Sequence, residues 1–198
     1  SVDGSGAVVD GSTVTISSEG TYIISGELSS GQIVVDASDD AKVRLVLAGA
    51  TIHNENVPAI YAKNADKCFV TLANGMQNSL SDGTDYMLED DSDEPYATLF
   101  CRCDLTINGA GALNVTANYR HGICSKDDLV VTGGTLNVTA VEDCLRGRDC
   151  VKIADGTFNL VAGGDGIKSN KDTKATQGFV SITGGTFTIN AGDDAVQG

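Results

Sequence analysis

The sequence predicts an all-β chain, a right-handed single-stranded parallel β-helix with coils of about 22–29 residues. Three observations predict it. One strand-turn pattern recurs through the second half; apolar and polar residues alternate inside each recurrence; and the turns are built on Gly, of which there are 24 against 2 Pro and no Trp. Four segments carry the pattern: LTINGAGALNVTA from Leu105, LVVTGGTLNVTA from Leu129, VKIADGTFNLVA from Val151 and VSITGGTFTINA from Val180. Their starts lie 24, 22 and 29 residues apart, the last interval being lengthened by a polar loop insertion from Asn170 to Gln177.

Set under one another, the four segments give inward columns. The first two are Leu105, Leu129, Val151, Val180 and Ile107, Val131, Ile153, Ile182. The others are Leu113, Leu136, Phe158, Phe187 and Val115, Val138, Leu160, Ile189. Such columns are expected when each coil lies ~4.8 Å above the last and buries its apolar face against it. The first half fits the plan less regularly. Residues 1–40 are strand-rich (Val14–Ile16, Tyr22–Ile24, Ile33–Val35) and are expected to cap the sheet edge; coils then run through 41–198 as a single domain. Residues 76–96 are expected as a flexible acidic loop, carrying Asp82, Asp85, Glu89, Asp90, Asp91, Asp93 and Glu94 without the ligand order of an EF-hand, and stand second to the turn ladder as a calcium candidate. The chain ends at Gly198 in mid-coil, which predicts further sequence beyond it and the possibility of end-to-end stacking between molecules.

Charge and composition narrow the function. With 13 Lys+Arg against 27 Asp+Glu the net charge is −14, a field that disfavours nucleic acid and anionic lipid, and an acidic polymer would need a bridging cation. No apolar run is long enough to span a bilayer. Aromatics are 5%, and Phe158 and Phe187 belong to the core columns, so few rings remain as platforms for neutral glucans; Tyr61, Tyr96 and Tyr119 offer a small strip. The six cysteines match no zinc spacing and leave two readings open, lateral disulfides or buried thiols. Asn114 and Asn137 head formal glycosylation triplets but occupy outward strand positions of the repeat, so they read as structural.

The same alignment stacks polar turn residues. His121, Asp143, Asp165 and Asp194 share a column, preceded by Arg120, Glu142, Gly164 and Asp193. Carboxylates stacked ~5 Å apart raise one another's proton affinity unless a cation intervenes, and calcium accepts oxygen ligands in loose geometry. The expected metal ligands are therefore Asp165, Asp193 and Asp194, adjoined by Glu142 and Asp143. Arg120, Tyr119, His121, Arg146 and Lys168, beside the ladder, are the expected ligand-binding residues. The plainer reading of the acids is turn capping, and of the basic residues, salt bridging. A second acidic column, Asp104, Asp128 and Cys150 with Asp127 and Asp149 one place earlier, reads as solvated turns. No Ser or Cys stands in motif spacing with His53 or His121, so nucleophilic catalysis is not expected.

Gly20-Thr-Tyr-Ile-Ile-Ser-Gly26, Leu105-Thr-Ile-Asn-Gly109, Lys126-Asp-Asp-Leu129, Asp143-Cys-Leu-Arg-Gly-Arg-Asp149 and Gly164-Asp-Gly-Ile-Lys-Ser169 resemble the repeats of clostridial surface carbohydrate-binding domains over nearly the whole chain. The resemblance implies a calcium-binding right-handed parallel β-helix at the cell surface or outside the cell, taking acidic plant polysaccharide such as polygalacturonate. It also implies a distant likeness to family 9 pectate lyases, whose calcium is held by one Asp and an Asp-Asp pair a coil later. Two departures stand out: Cys144 and Cys150 replace Gly or Ser, and Gln197 falls on a further element of the lyase pattern. The expected function is non-catalytic, calcium-assisted binding of acidic polysaccharide. The alternatives are a calcium-dependent lyase using Lys168 or Arg146 as base, and an adhesive solenoid without a sugar ligand.

Overall fold

The computed structural model describes residues 5–174 and 176–198, and its regular structure is all β. A nine-stranded sheet contains the strands Ala7–Asp10, Thr13–Ile16, Gln32–Asp36, Ile60–Asn64, Ala97–Cys101, His121–Ser125, Leu145–Gly147, Ile167–Lys168 and Val196–Gln197, in that spatial order. A twelve-stranded sheet has two arms joined by the 13-residue strand Lys42–Asn54. One arm runs from that strand through Lys67–Leu72, Asp104–Gly109, Asp128–Val131 and Cys150–Ile153 to Phe179–Ile182; the other runs through Gln77–Asp82, Ala112–Ala117, Thr135–Ala140 and Thr157–Ala162 to Thr186–Ala191. From Ile60 onward each strand pairs in parallel with the third strand after it, so every layer of chain adds one rung to the nine-stranded sheet and one to each arm. The antiparallel exception is the hairpin of Ala7–Asp10 with Thr13–Ile16 at the sheet edge.

The pairing register reproduces the apolar columns residue for residue, including Leu113↔Leu136↔Phe158↔Phe187 and Ile107↔Val131↔Ile153↔Ile182. Alternation is the physical cause: a one-residue slip would turn every apolar side chain of a strand to solvent. One continuous core extends from Ile16 to Ile167, and Phe158 stacks on Phe187 with centroids 4.6 Å apart. The recurring Gly at the turn between the two arms has a backbone reason, since Gly109, Gly134, Gly156 and Gly185 all have φ between +97° and +133°. On the outer surface Asn114, Asn137 and Asn159 form an amide ladder, each donating to the preceding layer, at 2.8 Å and 2.7 Å for the two side-chain pairs. In the last layer Phe179, Ile182 and Val196 are exposed.

Residues 1–40 contain more than a covering segment: Thr13–Ile16 and Gln32–Asp36 are rungs of the nine-stranded sheet, and Gly20–Leu28 pairs in parallel with Lys42–Asn54. The acidic segment also departs from a flexible loop. Its first part, Gln77–Asp82, is a strand. The remainder is fastened by buried Asp82, whose carboxylate accepts from Thr98 Oγ1 (2.7 Å), Tyr86 Oη (2.6 Å) and the Asn118 amide (2.6 Å). Alternation explains the strand, because Asn78, Leu80 and Asp82 point inward. All six cysteines are free and buried, which selects the buried-thiol reading.

Candidate functional site

The stacked turn residues lie where each chain layer leaves the second arm and enters the nine-stranded sheet. Backbone hydrogen bonds from Gly122 to Asp143, Cys144 to Asp165 and Gly166 to Asp194 put His121, Asp143, Asp165 and Asp194 in one column. A second set, from Glu142 to Arg120, Gly164 to Glu142 and Asp193 to Gly164, builds the column before it. Each ladder side chain accepts the amide of the next: His121 Nδ1 from Asp143 (3.1 Å), Asp143 Oδ1 from Asp165 (3.0 Å) and Asp165 Oδ1 from Asp194 (2.8 Å). Gly164 has no Cβ because one would lie 2.8 Å from Asp143 Oδ1.

The second carboxylate oxygen of each buried Asp takes a cation three residues on. Arg146 Nη1 lies 3.2 Å from Asp143 Oδ2, and Lys168 Nζ lies 2.5 Å from Asp165 Oδ2. In the next layer that position is Gln197, so Asp194 has no cation of this kind. Turn capping and salt bridging thus account for much of what Asp143 and Asp165 do. Burial holds the Asp143 carboxyl above its ordinary range, with the Asp165 charge adding to it.

His121 is buried, and burial followed by the charges of Arg146, Arg120 and Lys168 pushes its pKa down to about 3. The imidazole is neutral. With Nδ1 accepting the Asp143 amide, the proton sits on Nε2 and is donated to Glu142 Oε2 at 3.2 Å, while Arg146 Nη1, itself a donor, stands 3.0 Å from the same nitrogen without a hydrogen bond to it. Burial and the nearby cations keep the ring neutral, so its contact with Glu142 is a hydrogen bond rather than an ion pair.

The five expected metal ligands separate into two groups. Asp165, Asp193 and Asp194 offer oxygens within 4.8 Å of one another, and among the described residues they are the one such triple of His, Cys, Asp or Glu. Two oxygens bound to one calcium at about 2.4 Å stand at most about 4.8 Å apart, so the set fits a hard cation with two exposed ligands and one buried. Glu142 and Asp143 lie outside it. Glu142 receives Arg120 Nε at 3.1 Å, and Asp143 holds Arg146.

Among the expected binding residues, Arg146 and Lys168 are adjacent outward rungs. Arg120 lies over the Tyr96 ring, 5.2 Å from its centroid. Tyr119 is stacked on Tyr86 at 4.4 Å, and Tyr61 is buried and donates to Glu89, because the acidic segment folds over them. The aromatic strip therefore shrinks to Tyr96. That ring lines a polar pocket of about 240 Å³ with Lys126, Arg146, Arg148 and Lys171. Cys124, also in its wall, is pushed up to about 12 by burial and is a neutral thiol, not a nucleophile. In the second acidic column Asp128 holds Lys152 and the Cys150 thiol, and Asp149 holds Lys171.

Sequence reasoning found the ladder but missed its covering groups. Glu89 Oε2 accepts Arg102 Nη2 (2.6 Å), Glu94 Oε2 accepts Arg102 Nε (3.0 Å), and Glu94 Oε1 accepts Lys126 Nζ. The signal available was the alignment of Arg102, Lys126 and Arg148, each following a rung that ends in Cys101, Ser125 or Gly147.

A family model described as carbohydrate-binding domain-containing protein matches residues 10–198. A protein of that description from Acetivibrio thermocellus is 41% identical over 184 residues, which is 92% of this chain and 64% of that protein's length. The chain therefore spans a little under two thirds of that curated relative. A solved structure described as the polysaccharide lyase-like protein from C. thermocellum, gadolinium derivative, superposes with a TM-score of 0.92 at 34% identity, covering 99% of this chain and 88% of the other.

Proposed function

The chain belongs to the family of carbohydrate-binding domain-containing proteins, and from that premise we propose that it binds acidic plant cell-wall polysaccharide of the polygalacturonate kind, assisted by calcium and without catalysis. The observation that carries the reading is the Asp165, Asp193, Asp194 triple beside the cationic rungs Arg146 and Lys168. Calcium bound there would supply positive charge to bridge these acids to a uronate carboxylate. Asp165, Asp193 and Asp194 would hold the ion, and Lys168, which pairs with Asp165, would stand beside it as a further positive group for the ligand. A chain of net charge −14 needs such local positive charge before an anionic polymer can approach.

The finer description of the fold goes with this reading. Strand pairing at every third element supports a right-handed parallel β-helix. A polysaccharide ligand of plant walls would go with a location outside the cell or on its surface.

The test is polygalacturonate binding with calcium and with chelator, on wild type and on Asp193→Asn with Asp194→Asn. Calcium is expected to strengthen binding and raise Tm in wild type, and the double substitution to remove both effects. Binding absent in both conditions would refute the proposal. The neighbour described as polysaccharide lyase-like favours a second reading, a calcium-dependent lyase with Lys168 or Arg146 as base. That enzyme would release unsaturated, ultraviolet-absorbing uronides from pectate and lose the signal in Lys168→Ala.

A further inference from the structure

We propose that the pocket between Arg146, Arg148 and Lys171 is a carboxylate subsite for a uronic acid unit, one layer along a cationic ladder on which Glu94 already occupies the preceding step. The inference rests on the acidic-polysaccharide reading and adds the place where one carboxylate is read.

Eight of the chain's 13 Lys and Arg residues (Lys63, Arg102, Arg120, Lys126, Arg146, Arg148, Lys168 and Lys171) lie along or beside the nine-stranded sheet. Arg102, Lys126 and Arg148 stand one above another at its edge, fixed by the register Cys101↔Ser125↔Gly147. The first step of this ladder is filled from within. Glu94 bridges two successive layers, accepting from Arg102 and from Lys126, and Glu89 adds a second carboxylate to Arg102. The protein thus displays the ligand chemistry of the ladder with its own side chains: a carboxylate seated between stacked cations, with Tyr61 Oη donating 2.8 Å from Glu89 Oε1.

The next step is open. Arg148 is exposed, and among the described residues no carboxylate pairs with its guanidinium, whereas Lys126, Arg146 and Lys171 each hold an acid. Asp172 is the one acid in the pocket wall. The unpaired guanidinium has the planar donor geometry that reads carboxylate bidentately, and the Tyr96 ring provides an apolar wall for a sugar. Asn170 and Thr173 complete a polar rim for hydroxyl groups.

The test follows the arginine side-chain Nε–Hε resonances of Arg146 and Arg148 while galacturonate monosaccharide is added with calcium chelated, and galactose and sodium acetate serve as controls. Galacturonate is expected to move the Arg148 signal, galactose to leave it still and acetate to move it less. An unmoved Arg148 signal overturns the subsite, and equal movement with acetate reduces it to an unselective anion sink and overturns the sugar assignment. In a second arm, Arg148→Gln is expected to weaken galacturonate oligomer binding in calcium about tenfold, with calcium affinity measured separately and unchanged. Equal oligomer affinity in the variant would overturn the inference alone. Loss of oligomer binding in wild type, with the monosaccharide response intact, would instead overturn the calcium-assisted polymer reading.

Discussion

Along the nine-stranded sheet one column of outward side chains changes character halfway. Tyr61, Phe100 and Cys124 are buried beneath the acidic segment, whereas Arg146, Lys168 and Gln197, the next rungs of the same column, face the open side. The backbone is the same parallel ladder in both regions. What differs is the covering chain, fastened at Asp82 and by the Glu89 and Glu94 ion pairs, and the polarity of the residue placed on each rung. One region has become a second small core; the other keeps charges at the regular spacing the fold provides.

The largest effect is expected in the covered half. Phe100 is fully buried, touching Tyr96 edge-on at 4.7 Å and Tyr61 at 5.7 Å, so Phe100→Ala should cost about 3–5 kcal/mol in denaturant unfolding. A loss under about 1 kcal/mol would show that the covering segment does not pack as a core. At the boundary, His121 separates the halves by its titration. Its folded pKa of about 3 lies below the ordinary 6.5, so between these values the unfolded chain takes up the proton first. Stability is full above pH 6.5 and falls as pH drops toward 3, by at most about 1.4 kcal/mol per pH unit from this group. His121→Gln should flatten that part of a stability-against-pH curve; parallel curves would mean that the ring is charged in the native protein. The smallest effect belongs to the open half, where Arg120 and Glu142 pair with side chains about a third exposed or more. Arg120→Ala should cost about 1 kcal/mol or less, measured by the same unfolding, and lose salt dependence.

The ladder of His121, Asp143, Asp165 and Asp194 was legible because a repeating chain places equivalent residues above one another, so aligning the repeats is equivalent to reading a surface. The same argument recovered Arg146 beside Lys168. It failed for Tyr61 and Tyr119, which a repeat register assigns to the surface but which the inserted segment covers. It set Asp165, Asp193 and Asp194 apart with Glu142 and Asp143 beside them, but did not show that those two hold Arg120 and Arg146, because ion pairing depends on side-chain direction.

The amino-acid pattern by itself determined the alternation, the layer spacing and the columns, since period-two burial and left-handed Gly turns are local properties that recur unit by unit. Only the tertiary structure decided where the non-repeating acidic segment lies, which cations it neutralises and that, among the described residues, no acid pairs with Arg148 beside the pocket. Those contacts join residues with no shared period, and their geometry follows from packing one irregular segment onto a regular face.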